Sequence, residues 1–297
     1  MRKLLYEITH TTAYTYSSRV LLSHHLLHLT PREGERQERV SHELITEPAA
    51  AVAASHEDAF GNVTGFLSIE IPHDRLVITS RSRVKVAPAC IPDPDETPPW
   101  ESARAWFNAD PGALSLHARE FLHASPRVPV TAECAEYAAP SFAPGRPLLR
   151  AVSDLTRRIH EEFIYDSTAT AVATPVEEVF RNRRGVCQDF AHFAIACLRA
   201  LGLPARYVSG YVETDPPPGQ PRLRGVDASH AWFSVPVPGT GWIDIDPTNN
   251  CMPSLRHVTL AWGRDYSDVA PVRGVLTGGG AQQLSVAVDV IALGPSS

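Results

Sequence analysis

Residues 185–211, GVCQDFAHFAIACLRALGLPARYVSGY, join a glycine and a cysteine to a long apolar segment that stops at a glycine and a proline. Phe190, Ala194, Cys197, Leu198 and Leu201 fall on one helical stripe, which predicts a helix over 187–201. Gly202, with Pro204 close behind it, ends that helix. Cys187 therefore stands at a helix N-terminus, where unpaired amides and the macrodipole favour negative charge. A thiol in such a place has a lowered pKa and is a better nucleophile. Gly185 allows the chain a close approach just before it. Cys197, inside the apolar stripe, fits a buried role instead.

Three β-like runs follow the helix, at 205–213, 230–237 and 241–246, separated by Pro- and Gly-rich loops. A helix followed by an antiparallel sheet is an α+β order. A nucleophilic cysteine needs an imidazole to carry its proton, and the imidazole needs an acceptor to fix its tautomer. His230 starts one strand and Asp246 ends the next, and adjacent antiparallel strands joined by a short loop can set the two side by side. Asp244 lies two positions from Asp246 and shares its face, so spacing alone does not choose between them. Asp227 is a further competitor, with a solvated loop as its plainer role.

Upstream, Pro147 suits a first helical turn, and Leu148, Leu149, Val152, Leu155 and Ile159 repeat with helical spacing to about residue 163. Residues 87–146 begin with the Pro-rich IPDPDETPPW (91–100) and read as a connector with short helices, one of them over 115–125. The first 86 residues read as β structure. Tyr6, Ile8, Thr12, Tyr14 and Tyr16 fall on even positions, and Leu67, Ile69 and Ile71 alternate with Phe66, Ser68 and Glu70. Gly61-Asn62 supplies a turn, and a third run over 76–86 completes an expected antiparallel β-sandwich. Leu284, Val286, Val288 and Val290 make a late strand that adds to one of the sheets. The organisation expected is a β-sandwich domain over 1–86, a linker over 87–146, a core over 147–255 and a β extension over 256–297.

The block at 185–211, then GVDASHAWFSV (225–235), then GWIDIDPTNN (241–250), resembles the bacterial transglutaminase-like superfamily in order and spacing. The β-rich first 86 residues and LAWGRDYSDVAPVRGV (260–275) resemble that group's N-terminal and C-terminal regions. The resemblance implies a papain-like cysteine-enzyme core in which Cys187, His230 and Asp246 form a catalytic triad, and it resolves the choice between Asp244 and Asp246. It also implies a peptide or protein substrate attacked at an amide or isopeptide bond.

Other residues are weighed against plainer roles. The backbone amide of Cys187 is a natural oxyanion donor, with Tyr165 or Gln188 as a second, although Tyr165 equally suits packing and Gln188 a solvated helix face. Trp232 and Trp242 read as walls that pack the triad and exclude water. His192 points to another side of the helix and reads as structural. Arg264 and Asp265 read as structural ion-pair residues. His24, His25 and His28 lack a carboxylate or cysteine at ligand spacing, so no metal is expected, nor any cofactor.

The chain has 297 residues, 43% of them hydrophobic and 20% charged, with a net charge of −6, which argues against a disordered or nucleic-acid-binding protein. Residues 1–18 lack the apolar core of a signal peptide, and no apolar run is long enough to span a bilayer, so no membrane association is expected. Five scattered cysteines without a CxxC pair fit a reduced, cytoplasmic setting. Three functions compete: hydrolysis through a Cys187 thioester, transfer of the same acyl group to an amine, and binding by an inactive papain-like scaffold. Redox sensing at Cys187 would need Cys197 or Cys251 to resolve it.

Overall fold

The computed structural model describes residues 3–214 and 229–295. Asp227 and the loop at 215–221 lie outside them. The chain opens with five strands, β1 (Leu4–Leu27), β2 (Gln37–Glu47), β3 (Val52–Glu57), β4 (Val63–Ile69) and β5 (His73–Val86). The turn between β3 and β4 uses Gly61 at φ +70°, a region open to glycine.

Strand β1 is long enough to serve two leaves. Its first half pairs with β5, its second half with β4, and the order across the sheet is β2-β5-β1-β4-β3. Burial along β1 falls on even positions as far as Val20 and on odd positions from Ser23. The switch coincides with a register irregularity between Val20 and Leu22, because one extra residue exchanges the two faces of a strand. Tyr16, Val20, Leu27, Leu67, Ile69, Leu76 and Ile78, drawn from both leaves, form one apolar core between them.

Next come α1 (Trp100–Ala109), α2 (Ala113–Arg119), α3 (Ala132–Ala138), α4 (Leu148–Glu162), β6 (Ile164–Tyr165), α5 (Val176–Asn182), β7 (Arg184–Gly185) and α6 (Cys187–Ala200). The stretch read as a connector contributes Ala103, Phe107, Ala118, Cys134, Tyr137 and Phe142 to the same core as α6. Helix α6 lies at the centre: every residue from Gln188 to Arg199 is buried, not only the apolar stripe. Gly202, at φ +75°, closes it, with the Leu203 amide donating to the Leu198 carbonyl.

The remaining elements are β8 (Arg206–Val212), β9 (Ser229–Val237), β10 (Gly241–Ile245), β11 (His257–Gly263), α7 (Tyr266–Val269), β12 (Val272–Gly278) and β13 (Gln282–Pro295). Four of them make an antiparallel sheet in the order β10-β9-β8-β11, packed on α6. Strand β11 thus joins this sheet, although the sequence pattern groups it with the C-terminal extension. Strands β12 and β13 return to β1 and complete the N-terminal sheet.

The two parts share a core, since Tyr6, Ile8, Val84, Val86, Val288 and Val290 join the cluster around α6. N-terminal side chains also cover the outer edge of β11. Gln37 Nε2 donates to the Thr259 carbonyl at 2.7 Å, and the Thr259 amide donates to Gln37 Oε1 at 2.8 Å. Asn62 repeats the arrangement on Trp262, at 2.9 Å in both directions. Two amide side chains thereby act as a missing neighbour strand for an edge that would otherwise expose its polar groups. Among the described residues no helix is long and apolar enough to cross a membrane.

Candidate active site

Cys187 is the first residue of α6, and the local chain explains why the helix begins there. Val186 is extended, and its amide donates to Asp189 Oδ2 at 2.9 Å across the first turn. The hydroxyl of Thr170 donates to the same oxygen at 2.6 Å. Asp189 folds so tightly over Gly185 that a Cβ there would lie 2.6 Å from its carboxylate. The amides of Asp189 and Phe190 donate to the Val186 carbonyl. Those of Cys187 and Gln188 have no intrahelical acceptor.

His230 lies at the start of β9 and Asp246 just past β10. His230 Nε2 donates to Asp246 Oδ2 at 2.7 Å, which leaves Nδ1 for the thiol of Cys187, a residue that lines the same cleft and acts on the charge of this imidazole. Burial alone pulls the His230 imidazolium down. The hydrogen bonds and charges of Asp246 and Cys187 outweigh it and lift the group to about 10.

Asp246 is fully buried, and its carboxylate is saturated with donors. The amides of Thr248 and Asn249 donate to Oδ1 at 2.9 and 3.2 Å. His230, Asn249 Nδ2 and His257 Nε2 donate to Oδ2, the last two at 2.7 and 3.1 Å. Burial raises this carboxyl, but the donated hydrogen bonds outweigh it and hold it well below the usual carboxylate range. Asp246 also exchanges backbone hydrogen bonds with Cys251, so the DPTNN loop closes around its side chain. Asp244 has other company: its Oδ1 accepts from the Ser234 hydroxyl.

A cleft of about 250 Å³ opens over Cys187 and His230. Tyr165, Val172, Gln188, Tyr207, Ser209 and Tyr266 contribute to its walls. Tyr165 reaches it because β6 pairs in parallel with β7, immediately before the cysteine, and its side chain is half exposed. Gln188 Nε2 donates to the Val172 carbonyl at 3.2 Å, so its donor holds the cleft wall. Arg127 Nη1 donates to that carbonyl as well. The Tyr207 hydroxyl carries no hydrogen bond among the described residues, and its deprotonation is opposed first by burial and then by the charge of Cys187. His192 props this wall: its ring lies 4.9 Å from that of Tyr207, and its Nε2 accepts the Tyr266 amide at 3.2 Å.

Trp232 is fully buried and lies behind His230, ring to ring at 6.1 Å, rather than in the cleft. It crosses Gly210, where a Cβ would come within 2.5 Å of the indole. Trp242 is not at the site: it pairs with Pro236, four residues (about 13 Å) along the strand from Asp246, and packs on Phe121 and His117. Arg264 binds Asp268, and buried Asp265 accepts the amides of Arg127 and Ser267. His25 and His28 are buried and bonded separately, to Ser23 and to Thr64. Cys197 is about 15 Å along α6 from Cys187, too far to resolve it, and burial followed by the Asp246 charge pushes the Cys251 thiol up to about 11.

The sequence reading missed His257, Asn249, Tyr207 and Tyr266. Asn249 follows Asp246 closely enough to be found as a loop donor. His257 stands on a strand with no local sign of its partner. Among the described residues, His230, Asp246 and His257 are the one group of His, Cys, Asp or Glu whose ligating atoms converge within 4.8 Å. Both histidines spend their Nε2 atoms on the carboxylate, which makes the group a hydrogen-bonded cluster.

Comparison with known proteins agrees with this architecture. Residues 6–85 match the family described as the bacterial transglutaminase-like N-terminal region, and residues 135–247 match the transglutaminase-like superfamily. The chain is 44% identical to an uncharacterized protein of Mycobacterium tuberculosis, over 96% of this chain and 92% of that one. It is 32% identical to the protein-glutamine gamma-glutamyltransferase of Pseudomonas aeruginosa over 158 residues, 52% of this chain and 23% of that protein. The crystal structure of a "putative cysteine protease" from Cytophaga hutchinsonii superposes with a TM-score of 0.76, covering 99% of this chain and 92% of that one at 22% identity, and so shares the fold.

Proposed function

The chain belongs to the transglutaminase-like superfamily, and from that premise we propose that it is a cysteine enzyme that forms an acyl-thioester on Cys187 from peptide or isopeptide amides and releases the acyl group to water. One observation carries the proposal: a single imidazole shares the cleft with the thiol at the start of a helix and bonds a fully buried carboxylate at 2.7 Å. The sulfur attacks the amide carbonyl, and the oxyanion that forms meets the outward amide of Cys187. Tyr207 is suited to be a second donor, because it lines the cleft with Cys187 and its hydroxyl carries no hydrogen bond among the described residues. His230 passes its proton to the departing amine as the C–N bond breaks. It then takes a proton from water, which attacks the thioester and frees the sulfur. Asp246 stays ionised and orients the ring.

Amine transfer is the second reading, favoured by the name of the Pseudomonas relative. It uses the same thioester, with a primary amine in place of water. The test begins with the rate of Cys187 alkylation by iodoacetamide, followed by mass spectrometry between pH 5 and pH 10. Wild type is expected to react at least tenfold faster at neutral pH than His230→Ala, and equal rates overturn the enzyme reading. Glutamine-containing peptides supplied with and without a primary amine then separate hydrolysis from transfer by product mass.

A further inference from the structure

We infer that His257 is a positioning residue for this site, holding Asp246 in the rotamer that serves His230, and that the N-terminal sheet sets its place through β11. The inference rests on the proposed function and deepens it. His257 Nε2 lies 3.1 Å from Asp246 Oδ2, the oxygen that also accepts from His230. Its ring is buried, meets Trp232 edge to face at 5.3 Å and stands 6.1 Å from the His230 ring. Its Nδ1 is buried and without a partner among the described residues, so Asp246 is the one polar group that the side chain serves. An imidazole in that setting carries its proton on Nε2, because only there does the proton have an acceptor.

Asp246 Oδ1 is held by backbone amides of its own loop, whereas Oδ2 faces three side chains. His230 must change its protonation during the reaction, and Asn249 rides on the loop. His257 is the donor fixed to a strand, and that strand is held from outside by Gln37 and Asn62. The cleft does not include His257, so it acts through Asp246 and not on substrate.

The experiment uses the full chain and needs no substrate: iodoacetamide alkylation of Cys187, with the imidazole N–H resonances followed by NMR and a thermal melt on each protein. His257→Phe, which keeps the ring shape and removes the donor, is expected to slow alkylation about 10- to 100-fold, the loss of one hydrogen bond to a charged group, and to shift or broaden the His230 Nε2–H resonance. His257→Gln, which restores an N–H donor, is expected to recover the rate to within about threefold and to restore the resonance. Rates unchanged in His257→Phe while His230→Ala remains slow overturn this inference alone. Equal losses in His257→Phe and His257→Gln, accompanied by equal drops in melting temperature, also overturn it, since they leave only a packing role. Wild-type alkylation indifferent to His230→Ala overturns the proposed function and this inference together.

Discussion

One face of the four-stranded sheet carries two buried polar groups, and they differ in what surrounds them. The register sets His230, Trp232 and Ser234 of β9 on that face, opposite Gly210, Val208 and Arg206 of β8. At one end, Asp246 collects His230, His257, Asn249 and two backbone amides beside the cleft. At the other, the Arg206 guanidinium is clamped between the rings of Trp242 and Trp262, at 4.1 and 3.7 Å, with Arg32 on Trp262 at 3.5 Å and Asp244 bonded to Ser234. Burial pulls Arg206 down to about 9, against the opposing charge of Asp244. Both ends combine a carboxylate, a cationic side chain and an indole. Only the first holds a carboxylate bonded to a side chain, His230, that lines the cleft, and the second spends its charge on holding the sheet to the N-terminal domain.

The sharpest way to break this contrast is to change the two carboxylates separately. Asp246→Asn keeps the shape but presents an amide to His230, and the expected loss of turnover is about 10⁴-fold, the scale seen when the orienting carboxylate of a triad is replaced. Asp244→Asn is expected to leave turnover within about threefold. Steady-state rates of the two variants on one acyl donor check both, and comparable losses would show that the ends are not functionally distinct. The next effect is on stability and targets the divider between the ends. In Gly210→Ala the new Cβ would lie 2.2 Å from the Val258 carbonyl oxygen and 2.5 Å from the Trp232 ring. Because backbone cannot yield cheaply, a cost of about 3 kcal/mol is expected, read as a lower midpoint in urea.

How much of this was legible in the sequence follows the range of the interactions. Helix α6 and strands β8, β9 and β10 announce themselves locally, through Gly202, Pro204 and the short loop before Gly241, so Cys187 and His230 stand out by position, whereas Asp246 is separated from Asp244 only by the family resemblance. The burial of α6 on all sides could not, because it depends in part on α3, a short helix within the stretch that reads as a connector. Strand β11 was assigned to a tail for a similar reason. A register irregularity between Thr259 and Ala261 breaks its alternation, and its edge partners Gln37 and Asn62 come from the opposite end of the chain. His257 was lost with it. Asp246 and Asp244 show the same limit in miniature: periodicity puts both on one face and is silent about the donors that separate them.

A third effect concerns pH and isolates the end that holds His230 and Asp246. His230 is raised from 6.5 to about 10, so its contribution to folding is fully present below about 6.5 and is lost as pH rises through about 10. Asp246 is depressed, so its contribution is present above its ordinary value of 3.8 and is lost as pH falls below it. Cys187→Ser removes one of the groups that raise His230 and is expected to flatten the alkaline slope. Thermal melts of wild type and Cys187→Ser at intervals from pH 6 to pH 10 should lie apart across neutrality, with wild type higher, and converge toward pH 10. Parallel curves would mean that the sulfur does not help to hold the His230 proton.

The smallest expected effect tests whether the Asp246 end is set from the other domain. Gln37 is buried, and its amide makes both hydrogen bonds that a neighbouring strand would make to Thr259, two residues from His257. Gln37→Leu keeps the volume and strands the buried Thr259 N–H on β11, while the Thr259 carbonyl keeps the Arg32 amide, a cost of about 1 to 3 kcal/mol. If β11 were held only by β8, that cost would appear as a fall of a few degrees in the melting temperature, with the chemistry untouched. If the N-terminal sheet fixes the place of His257, the same substitution also slows Cys187 alkylation about threefold, and adding it to His257→Phe slows the reaction no further. That non-additivity distinguishes the two, because residues acting through one path couple, whereas a general loosening of the fold adds to any other defect.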